Sequence, residues 1–441
     1  MIDPKLLREN LEAVQAMLEN RNFEFPLTDL IAIDKRRREL ILQVEELRRR
    51  KNLRSREISA KIKTHKESAV DKEEIEGLES QLMRLEREKK EADTNFRRLM
   101  MALPNLLSNS VPKGSNENDN IILKYCGSIK RYNFDMKDHV DIGNSLGLLD
   151  LERAAKVSGA RFYFLKNELV RLNQALINFA LDLLYEKGYT LTQPPFMIRR
   201  EAIEGAVILG DLEDMIYKIE NDDLYMIGTS EHSIASMYMN EILDGKALPL
   251  RYASISPCFR KEAGAHGKDT KGIFRVHQFE KVEQFVYARP EQSEQEHDRL
   301  LSISEEFYDR LGIPYRTVLL CSADLGKISS KTYDIEAWMP AQNAYREMVS
   351  CSDCTDYQAR RLLIRFRDTT SEQTRFVHTL NSTLVATERT MACIMENYQT
   401  SDGTIRIPEV LQQYIGGITE IPKKSRPSSS DGGGRLDHKT I

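Results

Sequence analysis

Four clusters of polar residues in the last two thirds of the chain have the types and spacing to do chemistry. The densest is Cys258–Glu283, where Arg260, Glu262, Arg275, His277, Phe279 and Glu283 flank a loop carrying Gly264, Gly267 and Gly272 with Lys261, Lys268 and Lys271. Tyr252–Arg260 is mostly apolar or small, and Arg275–Tyr287 alternates aromatic or β-branched residues with polar ones, so both limbs read as strands of a hairpin. Residues two apart on a strand share a face, which groups Arg260 with Glu262, and Arg275, His277, Phe279 and Lys281 with Glu283. Two guanidiniums, an aromatic plate and two carboxylates suit a nucleoside triphosphate beside an ammonium group. A solvated, charged hairpin accounts for the same residues.

The other clusters are Gly228-Thr-Ser-Glu-His232, Tyr345-Arg-Glu-Met-Val-Ser350-Cys-Ser-Asp-Cys354, and Thr379-Leu-Asn-Ser-Thr383 leading to Arg389. Thr229 and Ser230 stand where a strand gives way to a helix, so a helix N-cap is the plain alternative for them. Cys351 and Cys354 form a C-x-x-C, but no second pair stands at a spacing that completes four zinc ligands. Core thiols are the simpler account, and no zinc is expected. Gly267-Lys268 is followed by Asp269, so no Walker A loop is present.

Strand-like runs at 189–194, 223–228, 251–259, 275–288, 332–339 and 344–350 must position these groups. Helical segments are expected at Leu148–Val157, Phe164–Lys187, Ser230–Leu243, Pro290–Leu311 and Leu384–Asn397. Many strands joined by short connections, with a few long helices, predict an α+β fold built on an antiparallel sheet.

The N-terminal quarter differs in kind. Leu40, Val44 and Leu47 begin an apolar stripe that Leu53, Ile58 and Ile62 continue. After a polar break at 63–68, Ile75, Leu78, Leu82, Leu85, Ala92, Phe96 and Leu99 follow a heptad. Two such runs predict an antiparallel coiled-coil arm over 28–102, about 45 Å or more in length. Between Lys35 and Lys63 stand twelve Lys or Arg against four Glu, in a chain of net charge −4. That stripe fits a phosphate backbone, or a spacer hairpin kept soluble by its charges. Pro104 ends the arm. The expected organisation is an N-terminal unit 1–104, a linker 105–130, a core domain 131–420 and a flexible tail 421–441.

With 441 residues, 41% hydrophobic and 30% charged, the chain can bury a large core. No apolar run approaches the roughly 20 residues that cross a bilayer. Met1-Ile-Asp-Pro-Lys carries no signal-peptide pattern, and six cysteines do not look like a disulfide framework. A cytoplasmic setting without a membrane role is expected.

The hairpin resembles motif 2 of the class II aminoacyl-tRNA synthetases, the Arg389 cluster their motif 3, and Pro194-Pro195 their motif 1. More narrowly the chain resembles the seryl-tRNA synthetase family of the common bacterial and archaeal type. The likeness rests on the basic arm, Leu103-Pro-Asn105, Arg161-Phe-Tyr-Phe-Leu165, Gly228-Thr-Ser-Glu231, Phe259-Arg-Lys-Glu-Ala-Gly264, Arg275-Val-His-Gln-Phe-Glu-Lys-Val-Glu283 and Cys354-Thr-Asp-Tyr-Gln-Ala-Arg-Arg361. It spans nearly residues 1–417.

The resemblance implies ATP-dependent joining of L-serine to tRNA(Ser) through a seryl-adenylate, with service to tRNA(Sec) left open. It implies that Arg260 grips the α-phosphate, that Arg275 holds the outer phosphates, and that Phe279 and Arg389 sandwich the adenine. Arg260, Arg275 and Arg389 would form the catalytic set. Lys261, Glu262, Val276, Met348 and Val349 would complete the ATP site, and Glu347 and Ser350 would ligate Mg²⁺. Thr229, Ser230, Glu231, Arg260, Glu283, Asn381 and Thr383 would bind serine, with Glu283 best placed for the ammonium. It further implies a homodimer whose arm, residues 30–100, embraces the long variable arm of tRNA(Ser). Motif 3 departs from the family's glycine-rich form, with Leu384, Ala386 and Glu388 ahead of Arg389. Val349 stands where Ser is common. A non-catalytic paralogue that binds nucleic acid or a partner is the alternative; it would be favoured by loss of Arg260, Glu283 or Arg389, and all three are present. A carrier-protein ligase on the same core would lack the arm.

Overall fold

The structure is a computed structural model that describes residues 1–63, 69–208, 215–262, 272–368 and 373–422. The glycine- and lysine-bearing tip of the hairpin (263–271), the polar turn of the arm (64–68) and the tail from 423 lie outside the described residues.

The arm consists of helices Leu27–Lys63 and Ala69–Ala102. Leu40, Val44, Leu47, Ile58, Leu78, Phe96 and Leu99 are buried along their seam, as the heptad requires. Leu53, expected in the stripe, is 49% exposed. Much of the basic stripe faces the companion helix: Arg36 pairs with Glu88 at 2.7 Å, Arg48 with Glu86 at 2.5 Å, Lys51 with Glu79 at 2.7 Å and Arg54 with Glu74 at 2.6 Å. These cross-helix pairs spend part of the positive charge on holding the hairpin in register.

The core is an eight-stranded sheet. Its strands are β1 (Ile121–Cys126), β2 (Thr190–Thr192), β3 (Leu250–Phe259), β4 (Gln278–Ala288), β5 (Tyr315–Leu319), β6 (Lys331–Met339), β7 (Ala344–Asp353) and β8 (His378–Ala386). They lie in the order β1-β5-β6-β7-β8-β4-β3-β2. Every pairing is antiparallel except the edge pair β2–β3. One face packs under helices Glu168–Glu186, Ser293–Leu311 and Thr387–Asn397, through Val282, Val286, Leu380, Leu384, Ile335 and Val349. Each such side chain, fully buried, contributes about 1.5–3 kcal/mol.

Several local expectations shift. Residues 105–130, expected as a linker, contain β1, which pairs with β5 at the sheet edge. The helix expected over Ser230–Leu243 is confined to Glu231–Ala235. Ile242–Asp244 instead pairs in parallel with Arg365–Arg367, so tertiary pairing overrides helix propensity. The helix expected from Leu384 begins only at Thr387, because Thr383 and Val385 extend the ladder against β4. The run expected to be strand from Arg275 becomes regular only at Gln278.

Arg21 joins the base of the arm to the core. Its guanidinium donates to four carbonyls: Asn105 at 3.0 Å, Leu325 and Gly326 at 3.2 Å each, and Ser329 at 2.6 Å. Five donors in one rigid fork make arginine suited to that junction. Among the described residues no helix is long and apolar enough to cross a membrane.

Candidate active site

On β4 the alternation works as the sequence implies. Val282 and Val286 go into the helix-covered core, while Phe279, Lys281 and Glu283 face a cavity of about 220 Å³ on the opposite side. Thr229, Glu231, Arg260, Glu347, Ser350, Asn381, Thr383 and Arg389 also line it. Residues from five separate stretches are thereby brought together.

Two bulges are needed for this. Glu347 and Ser350 are three residues apart, so a regular strand would turn them to opposite faces. The β6–β7 register slips between Ile335 and Glu336, where two residues of β7 oppose one step of β6. Met348 is the extra residue, and Glu347 and Ser350 both reach the cavity. Likewise the β8–β4 register slips between Thr383 and Val385, which brings Asn381, Thr383 and Ala386 to the same cavity. Bulges re-aim side chains in this way beside functional sites. Val349 is not brought in; its side chain is fully buried in the core.

The floor of the cavity is a buried charge network. Glu283 Oε2 accepts from Thr229 Oγ1 at 2.6 Å, Ser230 Oγ at 2.8 Å and the Glu231 N–H at 3.0 Å. Lys281 Nζ donates to Glu283 Oε1 at 2.8 Å and to Thr229 Oγ1 at 2.7 Å. Burial alone would push the Glu283 carboxyl up, but Lys281 and the hydroxyl donors outweigh it and hold the carboxyl below its ordinary value. Glu231 is pushed up to about 7, first by burial and then by the Glu283 charge. One of its oxygens accepts from Gln358 Nε2 at 2.7 Å, and Gln358 is in turn held by Thr379 Oγ1 at 2.7 Å. His232, buried and beside Arg260, is lowered to about 3 and stays a neutral imidazole.

Arg260 lies with its guanidinium 5.1 Å from the Phe279 ring centroid and donates from Nε to the Gly228 carbonyl at 3.0 Å. Lys261 follows it, its N–H bonded to Met215 O at 3.0 Å. Glu262 has left the strand and adopts a left-handed φ of 48°, a strained position that clusters at functional sites. It pairs with Arg275 at 3.4 Å. Val276 is buried beside them in a narrow cleft that also touches Arg389. Arg389 stacks at 5.3 Å on Phe274 and lies 3.5 Å from Glu347.

A second cavity of about 720 Å³ shares Glu347, Ser350 and Arg389 with the first and extends to Arg275, Arg316, Arg346, Asp334 and Glu336. Asp334 stands opposite Ser350 across the β6–β7 pair. It is buried and hydrogen-bonded to Ser350, and among the described residues its Oδ1 has no hydrogen-bond partner. Its carboxyl is held well above the usual range by burial and by Glu347. The buried Asp334 carboxyl beside Glu347 and Ser350 makes a hard oxygen donor set of the kind Mg²⁺ takes once the proton is displaced. Among the described residues no group of three or more His, Cys, Asp or Glu is already gathered around a point. Cys351 and Cys354 are both buried thiols.

Lys281, Phe274, Asp334 and Gln358 escaped the sequence reading as site residues. Lys281 was within reach of it, since alternation alone puts it between Phe279 and Glu283. Nothing local marks Gln358 or Asp334.

The N-terminal 107 residues match the family model of the seryl-tRNA synthetase N-terminal domain, and residues 215–398 match the tRNA synthetase class II core domain (G, H, P, S and T). The chain is 55% identical over 421 residues to a serine–tRNA ligase of Nitrosopumilus maritimus (strain SCM1), covering 96% of this chain and 100% of that one. It is 54% identical over 416 residues to the corresponding ligase of Cenarchaeum symbiosum (strain A), covering 94% and 99%. Among solved structures it superposes on seryl-tRNA synthetase from Pyrococcus horikoshii complexed with ATP with a TM-score of 0.89 at 46% identity, covering 96% of this chain and 100% of the other. With a basic coiled-coil arm ahead of an antiparallel core, and with identity running along almost its whole length, this chain belongs to the seryl-tRNA synthetase family.

Proposed function

We propose that this protein is a serine–tRNA ligase that activates L-serine with ATP and transfers the seryl group to the 3′ end of tRNA(Ser). The observation that carries the reading is the shared cavity of Arg260, Phe279, Glu231, Glu283 and Arg389. Cationic and aromatic groups for a nucleotide stand there against carboxylates for an ammonium.

In the first step a serine carboxylate oxygen attacks the α-phosphorus and pyrophosphate leaves. That carboxylate is ionised at neutral pH, so no protein base is required. Alignment and charge stabilisation at the phosphate supply the catalysis. Arg260 serves the α-phosphate, Arg275 the outer phosphates, and Phe279 with Arg389 the base. Phe274, stacked on Arg389, lines the same narrow cleft. Glu347 and Ser350, with Asp334 beside them, would hold Mg²⁺, which would supply positive charge against the phosphates. In the second step a ribose hydroxyl of the tRNA end attacks the seryl carbonyl and AMP leaves.

The substrate ammonium is assigned to Glu231 together with the free capacity of Glu283 Oε1. Glu283 is largely neutralised by Lys281, whereas Glu231, raised by burial and by Glu283 more than Lys281 and Arg260 lower it, gains most from an incoming ammonium. Asn381 and Thr383 face the same space, where the serine hydroxyl would bind. A site that satisfies a hydroxyl rejects alanine by leaving its own polar groups unpaired. The arm takes the long variable arm of tRNA(Ser) by shape and backbone contact. We assign the enzyme to the cytoplasm, as a homodimer in which each arm serves tRNA bound at the other subunit. No observation favours the non-catalytic alternative.

The test is pyrophosphate exchange into ATP measured with each of the twenty amino acids. Serine alone should support it; exchange with another amino acid, or with none, sinks the reading.

A further inference from the structure

Glu388 is the residue that the resemblance leaves unexplained. It stands directly before Arg389, where the family's motif is rich in glycine, and an acid in the first turn of a helix ordinarily points to water. Here it points inward and is 2% exposed.

Its partners lie on two other segments. Oε2 accepts the Glu280 N–H at 3.0 Å and the Thr387 hydroxyl at 2.9 Å. Oε1 accepts the Tyr163 hydroxyl. The backbone ladder between β8 and β4 ends at the pair Ala386–Lys281. Glu280 is the next residue along β4, and β8 has no carbonyl left for it. The Glu388 carboxylate takes that place, so the side chain continues the ladder by one rung beyond the strand. Thr387 Oγ1 adds a bond to Glu280 O at 3.3 Å. Glu280 is bonded in the chain to Phe279, and Glu388 to Arg389. Phe279, Glu388 and Arg389 line one narrow cleft.

We propose that Glu388 is a positioning residue for the purine base of ATP, setting the separation of Phe279 and Arg389 by tying β4 to the start of the helix Thr387–Asn397. This rests on the reading that the base lies between those two side chains. The geometry exacts a cost: burial pushes the Glu388 carboxyl up to about 7, a penalty that a structural turn could avoid with a glycine.

The experiment is serine-dependent ATP–pyrophosphate exchange on the full-length protein with Glu388→Ala, Glu388→Gln and Tyr163→Phe. Glu388→Ala should raise the KM for ATP about tenfold while the KM for serine stays within about twofold, as expected for loss of two or three hydrogen bonds at one subsite. Glu388→Gln keeps an acceptor for the Glu280 N–H and should stay within about twofold of wild type. Tyr163→Phe removes one bond and should raise the KM for ATP about threefold. Inhibition by adenosine should weaken in Glu388→Ala, and inhibition by inorganic tripolyphosphate, which has no base, should not change. An unaltered KM for ATP in Glu388→Ala overturns the proposal, as does an equal rise for serine and ATP or a weakened tripolyphosphate effect. Should Glu388→Ala fail to fold, Tyr163→Phe decides, an unchanged KM for ATP being the adverse result. Should wild type show no serine-dependent exchange, the functional reading falls separately, and calorimetric ATP binding to the same variants still decides the base slot: an equal Kd in wild type and Glu388→Ala refutes it.

Discussion

Lys281 Nζ donates to Glu283 Oε1 at 2.8 Å, with 5% and 1% of the two residues exposed. Replacing one partner of such a pair leaves the other charge buried without compensation, which costs about 3–5 kcal/mol. Lys281→Met should therefore lower the melting temperature and release Glu283 from its depressed titration. The serine KM should rise about tenfold or more, because Thr229 loses the same donor. Thermal unfolding and exchange kinetics on one preparation check this; a variant with wild-type serine KM would remove Lys281 from the site.

Arg260 has its guanidinium over Phe279 and an anchor on Gly228 O at 3.0 Å. Arg260→Ala should abolish serine-dependent exchange while leaving the melting temperature within a few degrees. It is only half-buried, and its loss creates no buried unpaired charge. Near-normal exchange would exclude it from the α-phosphate.

On the arm, Arg50 and Arg56 are exposed and Arg50 acts only at longer range on Glu46 of its own helix, whereas Arg36, Arg48 and Arg54 are engaged across the hairpin. Arg50→Glu/Arg56→Glu should lower tRNA charging about tenfold or more, with a shallower salt dependence, since fewer phosphates are neutralised. Exchange should be untouched. Equal loss of both activities would argue against a tRNA role for the arm.

The pH dependence of stability has a definite sign. Glu388 sits near 7 in the folded protein, raised chiefly by burial, against an ordinary value near 4.3 unfolded. The folded state holds the proton more tightly, so the stability Glu388 contributes is complete below about pH 4 and is lost as pH rises through 7. Glu388→Gln cannot ionise. Its melting temperature relative to wild type should rise between pH 5.5 and 8.5, by the equivalent of about 2 kcal/mol. Melting curves across that range test it, and a constant difference would show that Glu388 does not titrate there.

Much of this protein was legible in its residues. The heptads located both arm helices, because a period near 3.5 leaves few other ways to bury leucines. Two-residue alternation located Phe279 and Glu283 on one face of β4, and the antiparallel α+β class followed from the spacing of the strands. The resemblance to the class II motifs brought Arg260, Arg275 and Arg389 into view as one proposed set.

Other features lay beyond any local pattern. Glu347 and Ser350 have opposite parity, and only the bulge at Met348 turns them to the same cavity. A bulge depends on how the neighbouring strand pairs, which no periodicity in β7 records. The pairing of Arg36, Arg48 and Arg54 across the hairpin, and of Lys281 with Glu283, separated structural charges from those available to a ligand. Glu388 reads in the sequence as an ordinary helix-start acid; its inward turn depends on an unpaired N–H of Glu280, more than 100 residues away. The amino-acid sequence alone determined the arm helices, most of the core strands and the antiparallel α+β class, because these rest on local period and spacing, while the family and the proposed reactive set came through resemblance to known motifs. Tertiary structure alone decided which charges are neutralised, which faces converge and how Glu388 ties β4 to the helix Thr387–Asn397, because desolvation and hydrogen-bond partnership arise only between segments distant in the chain.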